Sequence, residues 1–446
     1  MKSLSKFEIL SIGLMVFSIF FGAGNLIFPP ALGQAAGTNL LPAILGFLLT
    51  GVGLPMLGIV AIALRGGQYT EFIAEHVHPR FAVLLLTVLY LTIGPLFAIP
   101  RTGAVSFEIG IRPFLGYEDI QLGQLVYTAG FFLLTYFLAL NPTKIVSRIG
   151  KILTPLLLLF LAVLFLRSFW APMGNIMAPE GIYRTAPFLQ GFQDGYLTMD
   201  LLASLAVGAI VVNAVRMAGV EDNRSIGRIC IFAGLISVTL MSGVYLSLGY
   251  LGATSASVLG LSANGGVILS SAAGIFFGSM GKALLALIIA FACLTTSCGM
   301  ASACAWYFHA ASDNRISYQR VLLISLLFSF AASNLGLTEL IRISVPFLVA
   351  MYPVVIVLVV LSLFNAQLGG RPSVYRWSIA FTLAFSIFDG LNAAGIHPGV
   401  INDLFSQYLP LYASNLGWTT PALAGAILGR VLSFRQHAEQ AAVTDK

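Results

Sequence analysis

Apolar residues occur in long runs along the chain, and short polar or glycine-rich segments separate these runs. A run of about 20 apolar residues is long enough to cross the hydrocarbon core of a bilayer as a helix. This criterion predicts about twelve spans. They cover residues 8–36, 40–64, 80–110, 122–140, 145–169, 194–215, 226–250, 282–309, 319–334, 339–364, 375–392 and 417–434. We therefore expect an all-α integral membrane protein.

The first predicted span contains an interruption, within the stretch FSIFFGAGNLIFPPALGQAAG. Four small or polar residues stand where a spanning helix normally has bulky apolar side chains: Gly22, Ala23, Gly24 and Asn25. Unwound backbone at membrane depth is tolerated beside a protein-lined cavity, because hydrocarbon cannot satisfy its N–H and C=O groups. A glycine-rich face for close helix packing is the alternative interpretation. The spacing alone favours neither.

A second irregular segment, DGYLTMDLLASLAVGAIVVNAV, opens the sixth predicted span, five helices after the first. Interrupted helices in corresponding positions of two halves indicate a transporter built from an inverted repeat, with its binding site at the breaks. The repeats would be helices one to five, about 8–170, and six to ten, about 190–365, with two additional helices at about 375–435. We predict one membrane domain over the whole chain.

Composition supports a bilayer location and excludes a soluble, nucleic-acid-binding protein. Hydrophobic residues make up 58% of the chain and charged residues only 9%. The formal net charge is +6, but the basic residues are scattered singly between apolar runs instead of forming a basic patch. They concentrate in alternate loops, among them Arg65, Arg224, Arg315 and Arg371. The positive-inside rule then predicts that both termini are cytoplasmic.

Four segments resemble the signatures of the bacterial branched-chain amino acid carrier family, the BrnQ or LIVCS permeases. They are FSIFFGAGNLIFPPALGQAAG, PRTGAVSFEIG, GYLTMDLLASLA and ACLTTSCG, and the resemblance extends over nearly the whole chain. It implies ion-driven import of leucine, isoleucine and valine across the bacterial inner membrane. It also implies the LeuT-type five-plus-five fold, with discontinuous first and sixth helices.

The residue chemistry agrees with an amino acid substrate. A broken helix offers free N–H groups at one half and free carbonyls at the other, which suit a carboxylate and an ammonium group. We expect the carboxylate at the start of the second half-helix and the ammonium near the carbonyls of both breaks. The predicted substrate-binding residues are Phe20, Gly22, Ala23, Gly24, Asn25, Thr198, Met199, Asp200 and Ser297.

The eighth span suggests a sodium site through FACLTTSCGM, where residues three and four apart share one helix face. By position it matches the ion site of LeuT-type symporters, with the oxygens of Ser18, Phe21, Ala292, Thr295 and Thr296 as ligands. The alternative is that the threonines bond back to the preceding turn. Whether Na+ or H+ is the coupling ion stays open, and we expect no other metal and no cofactor.

Ionisable residues within spans are costly and therefore candidates for function. Arg101 and Glu108 lie seven residues apart, on one face of the third span, and could form a charge relay with Asp200. Asp200 could bind the substrate ammonium, carry a coupling proton, or hold unwound backbone.

Three other classes of membrane protein compete with a carrier. A channel needs a filter or a ring of like residues, and an enzyme needs a nucleophile with a base or a metal cluster. Neither pattern is evident, so we predict no enzymatic function. An amino acid sensor would use the same site without active accumulation. No obligate protein partner is indicated, and the expected partners are the lipid bilayer and leucine, isoleucine and valine.

Overall fold

The computed structural model describes residues 4–140, 144–396 and 399–444, and these form helices joined by turns and short irregular segments. Residues 141–143, between the fourth and fifth predicted spans, lie outside this description. The α-helices are α1 Lys6–Phe20, α2 Ala23–Ala36, α3 Leu40–Leu48, α4 Leu54–Leu64, α5 Tyr69–His76, α6 Pro79–Leu91, α7 Ala98–Gly110, α8 Ile120–Leu140, α9 Lys144–Trp170, α10 Pro187–Asp194, α11 Asp200–Met217, α12 Asn223–Leu259, α13 Gly265–Ala311, α14 Tyr318–Ser333, α15 Leu337–Leu363, α16 Pro372–Ala393, α17 Gly399–Tyr408 and α18 Thr419–Thr444.

Six helices of the described chain are long and apolar enough to cross a membrane by length and composition, or seven if a bent pair within α11 is counted as one span. Some other predicted spans form shorter helices; α1, for example, has 15 residues because it ends at the first break. The all-helical membrane fold is confirmed. The number of twelve spans stays a prediction.

Both predicted helix breaks are present. The first separates α1 from α2 at Phe21 and Gly22, where Gly22 is extended, with φ −116° and ψ −166°. The second separates a 3-10 turn, Gly195–Thr198, from α11 at Met199. Met199 has left-handed backbone angles, φ 63° and ψ 10°, which a non-glycine residue adopts only at a cost. The prediction of discontinuous first and sixth helices is therefore confirmed.

The third predicted span contains a further break that the sequence analysis did not foresee. Helix α6 passes into a π-helical turn, Thr92–Leu96, before α7 begins. Within this turn Gly94 leaves helical geometry, with φ −97° and ψ −124°, and Pro95 follows it. Proline lacks an N–H and disfavours helical backbone in the preceding residue, so the Gly94 and Pro95 pair accounts for the kink. The kink sets the direction of α7, which carries Arg101.

Glycine contacts hold the second half of the first span against α12 and α13. A Cβ atom on Gly252 would lie 2.0 Å from the carbonyl oxygen of Pro30, and one on Gly265 would lie 1.7 Å from that of Ile27. Any side chain at either glycine would therefore collide with the backbone of α2. Close packing through small residues, the alternative considered for the first span, is how these neighbouring helices meet α2.

The C-terminal helices form their own packed group beside the core. Helix α16 packs against both α15 and α18. A Cβ atom on Gly425 would lie 2.5 Å from the carbonyl oxygen of Trp377, so α18 approaches α16 at backbone distance. Asp389 is fully buried in α16.

Candidate functional site

Asn25 joins the two helix breaks. It is the third residue of α2, and its side-chain oxygen accepts a hydrogen bond from the N–H of Gly22 at 3.3 Å, which caps the helix. Its amide nitrogen donates to Oδ2 of Asp200 at 2.7 Å and also to the hydroxyl of Tyr245. The side chains of Asn25, Asp200 and Tyr245 are buried, and the Asn25 side chain connects the first break, the second break and α12.

Asp200 lies in the first turn of α11, directly after the left-handed Met199. Besides the bond from Asn25, its Oδ2 is 3.5 Å from the Tyr245 hydroxyl. Thr198 supports the second break. Its hydroxyl donates to the carbonyl of Gly195 at 2.9 Å and accepts from the Asp200 N–H at 3.4 Å. The Asp200 carboxylate therefore links the two broken helices through the side chains of Asn25 and Tyr245, and the three roles considered for Asp200 stay predictions.

Arg101 of α7 lies between the first break and the turn that precedes the second. Its Nη1 donates to the carbonyl oxygen of Leu197 at 2.5 Å, and its guanidinium stacks 5.0 Å from the ring centroid of Phe28. A Cβ atom on Gly24 would lie 3.2 Å from Nη1. Gly24 therefore faces a charged side chain, unlike the glycines that face helix backbone.

Three of the predicted ion ligands, Ala292, Thr295 and Thr296, belong to α13. The hydroxyls of Thr295 and Thr296 both donate to the carbonyl of Ala292, at 2.9 and 3.0 Å, which is the back-bonded geometry considered as the alternative. Thr296 nevertheless faces the break, since a Cβ atom on Gly22 would lie 3.4 Å from its methyl and 3.7 Å from its hydroxyl. A back-bonded hydroxyl keeps an acceptor lone pair for a cation.

The remaining predicted residues belong to the end of α1 and to α13. Ser18 and Phe20 belong to the last turn of α1, and Phe20 and Phe21 are buried. Ser297 follows Thr296 and is fully buried, and within the described chain its hydroxyl has no hydrogen-bond partner.

Glu108 is connected to other residues than those of the suggested relay. It pairs with Arg112, one turn further along the chain, and its Oε1 accepts from Nδ2 of Asn264 at 3.1 Å. Asn264 in turn caps α13, because its side-chain oxygen accepts from the N–H of Gly266 at 3.0 Å. Seven residues of helix separate Glu108 from Arg101 by about 10 Å along the axis. A relay through Arg101, Glu108 and Asp200 stays a prediction.

Comparison with known proteins identifies the family. The family model for the branched-chain amino acid transport protein matches residues 5–436. The chain belongs to that family. Its members are transporters, not enzymes, in agreement with the sequence prediction, and multi-pass membrane proteins.

Curated relatives of this transporter resemble it along nearly their full lengths. The branched-chain amino acid permease BrnQ of Bacillus subtilis is 45% identical, over 97% of this chain and 98% of the relative. The permease BraB of the same organism is 46% identical, over 97% of both chains. The branched-chain amino acid transport system 2 carrier protein of Pseudomonas aeruginosa is 44% identical, again over 97% of both.

Solved structures share the fold at low sequence identity. Mhp1, a nucleobase-cation-symport-1 family transporter in a closed conformation with bromovinylhydantoin bound, superposes with a TM-score of 0.61 at 13% identity, over 97% of this chain and 93% of that one. A mutant manganese transporter of Eremococcus coleocola gives a TM-score of 0.57 at 14% identity, over 98% and 97%. These similarities concern the fold, and the LeuT-type architecture predicted from the signatures is confirmed.

Several residues of this transporter's candidate site escaped the sequence analysis. Tyr245 bonds to Asn25 from within α12, and Tyr352 of α15 stacks on Tyr196 at 4.4 Å beside the second break. Thr50, in a π-helical turn between α3 and α4, donates to the carbonyl of Phe192 at 2.7 Å and supports the helix before the second break. Isolated tyrosines within apolar spans are the one signal that could have identified the first two.

Proposed function

We propose that this transporter imports leucine, isoleucine and valine by alternating access, with Na+ or H+ as the coupling ion. The observation that carries the proposal is the junction of two broken helices through Asn25 and Asp200. Broken helices that meet at one point offer N–H groups, carbonyls and polar side chains to a zwitterion within an apolar protein.

The substrate carboxylate is assigned to the free N–H groups of the first turn of α2, at Ala23, Gly24 and Asn25. The first N–H groups of any helix lack intrahelical partners and carry the positive end of its dipole. The ammonium group is assigned to the carbonyls beside the breaks, near Phe20 and Met199. A branched aliphatic side chain needs only an apolar pocket, which discriminates weakly between molecules that differ by one methylene.

The coupling ion is assigned to the point where α13 meets the first break. Thr296 faces Gly22 there, and the carbonyl of Ala292 and the oxygens of Ser18, Phe21 and Thr295 complete the proposed set. Several hard oxygens suit Na+. Proton coupling through Asp200 is the alternative.

The proposed location is the bacterial inner membrane with both termini in the cytoplasm. The distribution of arginine and lysine between alternate loops supports this orientation. Cysteine accessibility at the loop positions on either side would test it.

Uptake of labelled leucine into proteoliposomes tests the proposed function. We expect accumulation against the leucine gradient when either a sodium gradient or a pH gradient is imposed, and competition by isoleucine and valine. Each gradient is imposed alone, so that the result also selects the ion. Non-saturating downhill flux would instead indicate a channel. Saturable leucine binding without flux would indicate a sensor.

A further inference from the structure

We propose that the guanidinium group of Arg101 binds the carboxylate of the transported amino acid and holds it against the N-terminus of α2. The inference rests on the proposed function, because it assigns one further residue to the same substrate site. It adds a cationic side chain from α7 to the backbone N–H groups already assigned to the carboxylate.

The first step is the burial of Arg101 together with its incomplete hydrogen bonding. Its side chain is only 3% exposed. Nη1 is bonded to the Leu197 carbonyl, but in the described part of the chain nothing accepts a hydrogen bond from Nε or Nη2. Arginine presents its donors as a planar fork that matches a carboxylate in bidentate geometry. Two buried donors of this fork are therefore available to an anionic ligand.

The second step is the position of this cation. The guanidinium lies against Gly24, the second residue of α2, with Nη1 3.2 Å from where a Cβ atom would be. The N-terminus of a helix carries about half a positive charge, and it favours anions over cations. A buried guanidinium beside a helix N-terminus places two positive features together, and an anion between them would relieve both. The carboxylate of an amino acid is an anion of suitable size and geometry.

The third step concerns Asp200, the carboxyl group that could pair with Arg101. Among the described residues Arg101 takes part in no salt bridge, although Asp200 is near enough to interact with it electrostatically. The carboxylate oxygen Oδ2 of Asp200 instead accepts hydrogen bonds from Asn25 and Tyr245. Leaving a buried cation without a close counterion is costly in a membrane protein, which marks it as a functional group.

A purely structural role is the competing explanation. In that case Arg101 would only hold the Leu197 carbonyl beside the second break, and its loss would weaken the protein for every ligand alike. The two explanations differ in whether the effect of Arg101 on binding depends on the ligand's carboxylate. Leucinamide keeps the ammonium group and the side chain of leucine but replaces the carboxylate with a neutral amide.

The experiment measures equilibrium binding of leucine and leucinamide to the purified full-length transporter, by competition with labelled leucine and by ligand-dependent thermal stabilisation. We expect the wild type to bind leucine at least about 30-fold more tightly than leucinamide, the ratio typical of a lost charged hydrogen-bonding partner. Arg101→Gln should lose most of its affinity for leucine while its affinity for leucinamide is unchanged. Arg101→Lys keeps the positive charge but not the planar bidentate donor group, so its ratio of leucine to leucinamide affinity should be intermediate.

Arg112→Gln is the matched control, since Arg112 lies at the exposed end of the same segment, outside both breaks. Its ratio of leucine to leucinamide affinity should equal that of the wild type. The proposal would be overturned if Arg101→Gln kept the wild-type ratio, or if it lost affinity for leucine and leucinamide equally. If the glutamine variant does not fold, Arg101→Lys decides, and a wild-type ratio there has the same meaning. Absence of leucine binding and uptake in the wild type would instead remove the proposed function.

Discussion

Two buried ionisable residues flank the first helix break, and their hydrogen bonding differs. Asp200, 4% exposed, receives a hydrogen bond from Asn25 and lies beside the hydroxyl of Tyr245. Arg101, 3% exposed, makes one hydrogen bond to the Leu197 carbonyl and retains two donors that no described residue engages. Both charges are similarly removed from water, so burial alone does not separate their roles.

The difference in partners does separate them. A buried polar group must be satisfied, by protein or by ligand. Asp200 is satisfied by the residues that join the two breaks, which is what a holding role requires. Arg101 is incompletely satisfied by protein and lies beside the helix end that attracts anions, which is what a ligand-binding role requires.

The largest effect on leucine uptake is expected from a bulky side chain at Gly24, which Arg101 contacts. In Gly24→Val the new Cβ would lie 3.2 Å from Nη1 of Arg101 and 3.3 Å from the ring of Phe28, before its two methyl groups are added. Overpacking costs about 1–3 kcal/mol, and the valine would also occupy carboxylate space. We expect leucine uptake to fall by more than about 30-fold at normal expression, measured in proteoliposomes.

Gly130→Val is the control for this substitution. Gly130 lies in α8, faces outward, and nothing lies within 4 Å of its Cβ position. Its variant should transport normally. Normal uptake by Gly24→Val would show that neither the carboxylate nor the guanidinium occupies the space beside Gly24.

The next effect tests the holding role of Asp200. Asp200→Ala removes the acceptor of the Tyr245 hydroxyl and one of the two acceptors of the Asn25 amide, and a buried unsatisfied group costs about 1–3 kcal/mol. We expect this variant to lose uptake and to melt at a lower temperature. Asp200→Asn keeps one acceptor oxygen, so uptake should be impaired but measurable.

Exchange of labelled leucine without any gradient refines the same test. If Asp200 carried the coupling proton, Asp200→Asn would exchange leucine normally but fail to accumulate it. Loss of both accumulation and exchange in a well-expressed Asp200→Asn protein would contradict the holding role. Tyr245→Phe, which removes one hydroxyl from the junction, should have a milder effect than Asp200→Ala.

A third, smaller effect is expected at the proposed ion site, where Thr296 lies beside Gly22. Thr296→Val keeps the approximate shape of the side chain but removes the hydroxyl that faces Gly22. Loss of one oxygen ligand should raise the half-saturating sodium concentration by about tenfold, equivalent to about 1.4 kcal/mol. Sodium titration of uptake at fixed leucine measures it.

Thr295→Val should raise the half-saturating sodium concentration as well if its oxygen is also a ligand. If leucine uptake by the wild type does not depend on sodium, the coupling ion is a proton instead. Sodium-dependent uptake with an unchanged half-saturating concentration in both variants would place the ion elsewhere.

The contrast between Arg101 and Asp200 also shows what could be read from sequence. Gly22 and Gly24 within an apolar run violate the pattern of a spanning helix so strongly that the first break could be predicted. The second break was foreseen less directly, because Met199 is an ordinary helix former, and only its tertiary surroundings hold it in left-handed geometry.

Partners across the membrane domain could not be predicted. Asn25 and Asp200 are 175 residues apart, and their hydrogen bond depends on how helices distant in sequence pack together. The kink at Gly94 was missed for a related reason: a Gly-Pro pair predicts a bend, but the direction that carries Arg101 towards Gly24 is set by packing.

The smallest effect is expected at Glu108, the third buried carboxylate or guanidinium considered for the relay. Its partners, Arg112 and Asn264, lie with it at one end of α7 and at the start of α13, so its situation resembles that of Asp200 more than that of Arg101. Glu108→Gln keeps the acceptor oxygen for Asn264, and it removes the charge of Glu108 together with its ion pair to the half-exposed Arg112, so no unpaired carboxylate is left buried. We therefore expect leucine uptake within about threefold of the wild type, and an unchanged ratio of leucine to leucinamide binding.

Asn264→Ala, which removes the cap of α13 as well, should reduce thermal stability more than Glu108→Gln does. Abolished uptake in Glu108→Gln, with normal expression and stability, would contradict this expectation and restore the relay through Arg101 and Asp200 as the coupling path.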